Sequence, residues 1–311
     1  MKIAAPNYYG SFCCLAGACR HTCCAGWEID IDDESLEYYK SVPGPFGKRL
    51  ADNISEEGGC AHFALSSGER CPFLNEQGLC DIILTLGPEG LCQICNDHPR
   101  FRNFYSDRTE IGLGLCCEAA AELILGHSEP FCLEIISDDG KTKELLPEEG
   151  EFFELREKVF RAAQDRRRSI LSRAEDILAL CGARLPEKSS AQWADIYFVL
   201  ERMDPEWDKY LSVLKACGSV STENLEHGEF EIPFGQLLTY FIFRHLSPEA
   251  AAETGAFAVL SFYIVRRIFC ALWAQKGKSP GFGGLCEIAS LYSSEIEYSD
   301  ENIGKIIELI G

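Results

Sequence analysis

The chain is 311 residues long, 46% apolar and carries a formal net charge of −20. That length and apolar content allow one large domain or two of ordinary size and exclude a disordered chain. The acidic balance argues against nucleic acid as a partner, because phosphates reward the opposite sign.

The opening segment, MKIAAPNYYGSF, lacks the apolar stretch of a secretory signal, so a cytoplasmic location is expected. No apolar run of about 18 residues is free of charge. The best candidate, Ala256 to Ala274, carries Arg266 and Arg267, so no membrane span is expected. A reducing compartment keeps thiols available for metal. Seventeen cysteines is also an odd number for a fully oxidised framework.

The sequence is built around residues 13 to 24, CCLAGACRHTCC, where five cysteines fall within twelve positions. Cysteines return at 60, 71, 80, 92, 95, 116 and 117, so twelve of the seventeen lie between residues 13 and 117. Trp27 follows the first group, then an alternating Glu28 to Asp32 segment of strand character. Asp32-Asp33-Glu34 predicts a helix start, and SVPGPFG, residues 41 to 47, breaks it. The run Glu28, Asp30, Asp32, Asp33, Glu34, Glu37 has no basic residue, and either steers a lysine-bearing partner or serves as a solvated face.

Residues 58 to 70 read as short, polar and irregular. In CPFLNEQGLC, Asn75 and Gly78 allow the backbone to reverse, so that Cys71 and Cys80 can point at one centre. An apolar stretch, Ile82 to Leu86, precedes LCQICNDHPR. Further on, a helix is predicted to open at Cys116 or Cys117 and to stop at Gly126. A cysteine at such a helix N-terminus has its thiolate favoured.

Residues 1–127 are thus expected to form a cysteine-rich metal-binding region with irregular loops, 128–150 an acidic linker, and 151–311 an all-helical region. Phe152 to Leu178 carry an amphipathic stripe, with Arg166, Arg167 and Arg168 on the wet side. Asp204 and Pro205 open a helix with Gly218 after its end, Ser247-Pro248 opens another, and Ser299 starts a last one over 300–310. FGQLLTYFIFRH and the 256–273 run predict buried core helices. The fold class expected is mostly α.

Cysteine at this density is unusual for buried thiols alone and points to metal. Structural zinc favours paired C-x2–4-C knuckles, a form only Cys19/Cys23 and Cys92/Cys95 have. Iron–sulfur clusters accept wider spacing, so the spacing leans to iron–sulfur, with zinc as the alternative metal. His21, His62 and His98 lie among the cysteines as further candidate ligands, and Arg100 and Glu110 as groups able to hydrogen-bond sulfurs or to form surface ion pairs. The C-x3-C-x2-C signature of radical S-adenosylmethionine enzymes is absent, since Gly26 stands where its last cysteine belongs. GFGG at 281–284 follows no predicted strand and supports no dinucleotide site.

FCCLAGACRHTCCAGW, CPFLNEQGLCDI, LCQICNDHPRFRN and TEIGLGLCCEAAAELIL resemble the flagellin lysine-N-methylase family, and the resemblance continues into FGQLLTYFIFRH and LYSSEIEYSDENI. It implies transfer of a methyl group from S-adenosylmethionine to flagellin lysines by an enzyme carrying an iron–sulfur cluster, a [4Fe–4S] centre being the expected form. The cysteines matching the family pattern are Cys14, Cys19, Cys23, Cys24, Cys71, Cys80, Cys95 and Cys117, whereas Cys13, Cys92 and Cys116 fall outside it. After Cys117 the family's C-P-E-A-A-R becomes C-E-A-A-A-E, without the proline and with the last charge reversed. The alternative is a cysteine-rich iron–sulfur or zinc protein with a redox, sensing or interaction role and no methyl transfer. S-adenosylmethionine binding discriminates between the two.

Overall fold

The structure is a computed structural model and describes residues 1–141, 143–217 and 228–311. The chain divides into two compact units, residues 13–100 and the remainder, Met1–Phe12 with Phe101–Gly311. The smaller unit is therefore inserted, in chain order, between the first strand of the larger unit and the rest of it. Labels run in chain order, beginning with β1 (Lys2–Pro6) of the larger unit.

The smaller unit holds β2 (Asp30–Ile31), α1 (Asp33–Ser41), α2 (Gly44–Asp52), β3 (Ile54–Glu57), β4 (Cys60–Phe63), α3 (Asp81–Leu86) and α4 (Gln93–Asp97). Asp32 caps α1 by accepting the amide of Ser35 at 3.0 Å, as the acidic run predicts. The break at Val42-Pro43 is real, but the chain re-enters a helix directly, with Pro45 in the first turn of α2, where a missing N–H costs nothing. Residues 58–63 are not irregular. Gly58 and Gly59, both at positive φ, close a two-residue hairpin that pairs Glu57 with Cys60, so β3 and β4 form a sheet with β2. Ile29, Tyr39, Leu50, Phe63, Phe73 and Ile82 form the small apolar core beneath it.

The larger unit continues with β5 (Arg100–Phe104), β6 (Arg108–Leu113), α5 (Glu118–Gly126) and β7 (Leu133–Asp138). These strands and β1 make a sheet in the order β5-β6-β1-β7, with β1 parallel to β6 and antiparallel to β7. Two sheets thus accompany a mostly helical fold, and residues 128–150 hold β7 as well as loop. Helix α5 spans the predicted residues, with Cys117 at its N-cap.

Eight more helices follow among the described residues: α6 (Pro147–Ala163), α7 (Ile170–Leu180), α8 (Ser190–Phe198), α9 (Trp207–Ala216), α10 (Glu231–His245), α11 (Ala251–Lys276), α12 (Gly281–Tyr292) and α13 (Asp300–Ile310). The amphipathic stripe is carried by α6 and α7, and the three arginines occupy the exposed turn between them. Helices α9 and α11 open two to three residues beyond the predicted starts, and Gly218 lies outside the described residues. By length and composition α11 is apolar enough to cross a membrane, yet 83% of its most apolar stretch is buried within the protein. Each fully buried Leu, Ile or Phe it contributes stabilises the core by about 1.5–3 kcal/mol.

Candidate functional site

Three loops of the smaller unit are fastened together by backbone bonds. The amide of Cys71 donates to the carbonyl of Cys24 at 2.8 Å, and that of Gly26 to Glu69 at 3.0 Å, so the end of the 13–24 loop is zipped to the approach to Cys71. Within CPFLNEQGLC, Asn75 Oδ1 accepts the amides of Gln77 (3.0 Å) and Leu79 (2.9 Å), and Gly78 takes φ +72°. The predicted reversal is therefore an Asn-built turn. Arg49 braces it, donating to Asp81 Oδ2 at 2.8 Å and to the Pro72 carbonyl at 2.7 Å. Gly17 touches the same turn: a Cβ there would stand 2.5 Å from the Gln77 carbonyl oxygen. The third loop is fixed by Asp32 Oδ2, which accepts the amide of Gln93 at 2.8 Å.

Cys71 and Cys92 consequently lie in the small core of this unit and Cys24, Cys80 and Cys95 pack against it, near enough that their charges act on one another. Burial pushes the Cys71 thiol up to about 12, against the amide of Phe73, with Cys24, Cys80 and Cys92 adding to it. Burial also raises Cys80, against the amides of Ile83 and Ile82. Cys24 is drawn down to about 7, first by a hydrogen bond from Cys23, which outweighs burial. Cys92 and Cys95 share a hydrogen bond that lowers Cys92 and raises Cys95, the arrangement of one thiol donating to one thiolate. Tyr39 lies against this pair while its hydroxyl donates to the Gly90 carbonyl at 2.9 Å.

Of the cysteines expected as ligands, Cys24, Cys71, Cys80 and Cys95 are brought together, and Cys23 joins through Cys24. Cys14 is exposed, with Sγ accepting the amide of Ala16 at 3.3 Å, and Cys19 is half-buried on the same turn. Cys117 belongs to the larger unit. Cys92, outside the family pattern, is buried within the group, and its C-x2-C spacing with Cys95 was the signal for it. Among the described residues no three His, Cys, Asp or Glu side chains are drawn tightly enough to hold a metal ion. The donor set is nevertheless one of soft sulfurs, which suits zinc or an iron–sulfur cluster and not a hard cation.

The candidate histidines do other things. His98 lies 6.3 Å from the Trp27 ring, and burial, with Arg100 adding, pulls its imidazole down to about 4. His62 faces Glu28 at 3.7 Å. Glu110 is neither on the surface nor at a sulfur; it is fully buried and paired with Arg156. Arg100 donates to the Asn96 carbonyl at 3.2 Å.

In the larger unit, LYSSEIEYSDENI forms a buried polar knot. A π-helical turn over Ser293–Glu297 directs both Glu295 and Glu297 inward. Glu295 accepts the amides of Met203 (3.1 Å) and Asp204 (2.5 Å) ahead of α9. Glu297 accepts from Tyr240 at 2.9 Å and pairs with Arg244 (3.1 Å) and His245 (2.5 Å). Asn302 donates to the carbonyls of Glu201 and Glu295 at 3.1 and 2.8 Å. These contacts give the motif a structural role.

Fold and site together describe a helical protein with an inserted sulfur-rich loop unit. No protein-family model matches the chain, and no solved structure matches it. Lysine-N-methylases of Salmonella typhimurium and Salmonella choleraesuis are each 27% identical to it over 156 residues. That match takes in 47% of this chain and 39% of the length of each of those relatives. The flagellar biosynthetic protein FliU of Salmonella muenchen is 28% identical over 139 residues, 43% of this chain and 82% of its own length. These relatives support the resemblance to flagellin lysine-N-methylases.

Proposed function

We propose that the chain is a protein-lysine N-methyltransferase that uses S-adenosylmethionine to methylate flagellin, and that cysteines of the 13–100 unit hold an iron–sulfur cluster in it. The observation that carries the reading is the similarity to proteins named lysine-N-methylase; the link to flagella is supported by the FliU relative. The gathering of Cys24, Cys71, Cys80 and Cys95 around one small core supports the cluster, with Cys92 at hand as a further donor. A bound cluster would supply electron storage or a structural cross-link.

In the transfer itself a lysine amine attacks the sulfonium methyl. The N–CH3 bond forms as the S–CH3 bond breaks, leaving S-adenosylhomocysteine, and the amine must have lost its proton first. The net charge of −20 attracts a lysine-bearing substrate while unsubstituted lysine is still cationic. The rate is therefore expected to fall steeply with salt, and a flat salt profile counts against that part.

The test is to purify the chain without oxygen, measure iron and sulfide, then incubate it with flagellin and S-adenosylmethionine. Mass spectra of flagellin peptides should show methyl increments on lysine only when the donor is present. Cluster-loaded protein that leaves flagellin unmodified overturns the enzymatic reading. Stoichiometric zinc without sulfide overturns the iron–sulfur part.

A further inference from the structure

Of the seventeen cysteines, Cys92 and Cys95 are the only two that stand three positions apart. The turn that carries them is helical: Cys92 is the N-cap of α4, and its carbonyl accepts the amide of Asn96 at 3.0 Å. A closed turn of this kind holds its first and fourth Cα atoms roughly 5 Å apart, inside the window of about 4.4–6.8 Å that a disulfide requires. The two sulfurs already meet, since they share a hydrogen bond. The turn is also held from both ends, by Asp32 Oδ2 on the Gln93 amide at 2.8 Å and by the Ile94 carbonyl on the His98 amide at 3.1 Å. Closing a disulfide here needs side-chain rotation and no movement of the backbone.

The other hydrogen-bonded pair of the site differs in this respect. Cys23 and Cys24 also share a hydrogen bond, but neighbouring Cα atoms are about 3.8 Å apart, short of that window. The same holds for Cys13-Cys14 and Cys116-Cys117. Exposure then divides the roles within the 92–95 pair. Cys92 is 1% exposed and Cys95 is half-buried, so an oxidant from solution meets Cys95 first. A shielded thiol beside an accessible one is placed to resolve what the accessible one forms.

We propose that Cys92 and Cys95 form a redox-active dithiol, oxidised to an intramolecular disulfide by a low-molecular-weight disulfide such as glutathione disulfide. The Cys95 sulfur, its proton passed to Cys92 across their shared bond, attacks one sulfur of the oxidant, whose S–S bond breaks and releases one thiolate. Cys92 then attacks Cys95 Sγ, the mixed disulfide breaks, and the second thiolate leaves. Written from two thiols, two electrons and two protons pass to the oxidant, which becomes two thiols. The disulfide itself depends on neither cluster nor methyl transfer. Its consequence rests on the proposed cluster: oxidation withdraws Cys95 from the gathered cysteines and blocks loading until a dithiol reduces the bond.

The test takes the full chain, treated with chelator and reductant, exposes it to glutathione disulfide, and alkylates it in denaturant. Cleavage after Glu89 and Arg100 frees residues 90–100, in which Cys92 and Cys95 are the only cysteines. From the reduced chain this peptide should carry an alkyl group on each cysteine. From the oxidised chain it should carry none and weigh about 2 Da less than the free dithiol. Cys92→Ala should stop the reaction at a glutathione adduct on Cys95; where that variant fails to fold, the digest of the unaltered chain still decides. A peptide that stays fully alkylated, stops at a glutathione adduct in the unaltered chain, or is joined to another peptide overturns the proposal. The oxidised chain should also take up about tenfold less iron and sulfide, restored by dithiothreitol. Equal uptake in the two states overturns the block on loading. Absence of uptake even by the reduced chain counts against the iron–sulfur reading alone, because the digest reports the disulfide without it.

Discussion

Arg156 on α6 grips Glu110 on β6 with both arms of its guanidinium, Nη2 to Oε1 at 2.6 Å and Nη1 to Oε2 at 2.7 Å, while Arg108 Nε adds a third bond at 3.0 Å. The carboxylate has no solvent exposure, and the Arg156 side chain is 5% exposed. A buried pair of this kind contributes little over an apolar replacement, but removing one partner strands the other charge. Glu110→Gln or Arg156→Met should therefore destabilise the protein by about 3–5 kcal/mol. Arg156→Lys should recover only part, because an ammonium cannot form the two-armed bond. Denaturant unfolding of the three variants checks this; a loss below about 1 kcal/mol in both single-partner variants would contradict it.

Gly17 and Gly78 hold two cysteine loops in contact, with the Gly17 Cα 3.3 Å from where a Cβ on Gly78 would stand. Gly17→Ala puts a methyl 2.5 Å from the Gln77 carbonyl oxygen, so one loop must move. The expected cost is about 1–3 kcal/mol, together with a fall in bound metal per chain. Gly10→Ala is the control, since nothing lies within 4 Å of its Cβ position. Equal metal content in both variants would show that the contact does not shape the site.

The thiol group itself makes a sharper forecast. Cys80→Ala and Cys95→Ala should each lower iron and sulfide content, whereas Cys60→Ala and Cys132→Ala, at exposed positions, should not. Removal of the proposed cluster with a chelator should also lower the melting temperature, because a group bound only by the folded state stabilises it. Iron that is unchanged in all four variants would place the cluster elsewhere.

Acid should weaken the larger unit through His245. Its imidazole is held below the ordinary value of 6.5 because burial outweighs the attraction of Glu297. Below pH 6.5 the unfolded chain takes up a proton that the folded chain refuses, so stability present above that pH is lost as pH falls. Glu297, lowered by Arg244 and His245 against burial, adds a loss in the same direction below its own ordinary 4.5. Melting temperatures between about pH 7.5 and 5.5 should decline, and His245→Gln should flatten the decline. The same slope in the variant would assign it to other groups.

What the sequence made legible follows from how local each signal is. Helix α13 could be read at its first residue because Ser299 caps it within three positions, accepting the amide of Asn302 at 3.2 Å. Helix α5 could be read because its cysteine cap and glycine stop enclose nothing but helix formers. The hairpin at Gly58-Gly59 had a local signal in its glycine pair, which passed as a polar irregular stretch. Strands β1 and β7 had none. Lys2–Pro6 is short, and β7 leaves Ile135 and Ile136 about half exposed, so only their pairing defines them as strands. The partner of Glu110 was equally hidden, because Arg156 lies 46 residues further on in what reads as one more amphipathic helix. Cys92 and Cys14 show the same limit within the site: pattern ranked Cys14 higher, and folding buries Cys92.

The inserted position of the 13–100 unit also fixes an order of events during synthesis. Strand β1 pairs Ala4 with Glu110 and with Ile135, so it leaves the ribosome without either partner. The whole sulfur-rich segment emerges in that interval. Chains elongate at about 5–20 residues per second, which gives these thiols several seconds of exposure before the sheet of the larger unit can close. Delivery of the proposed cluster during translation and its delivery to finished protein would thus be two different problems.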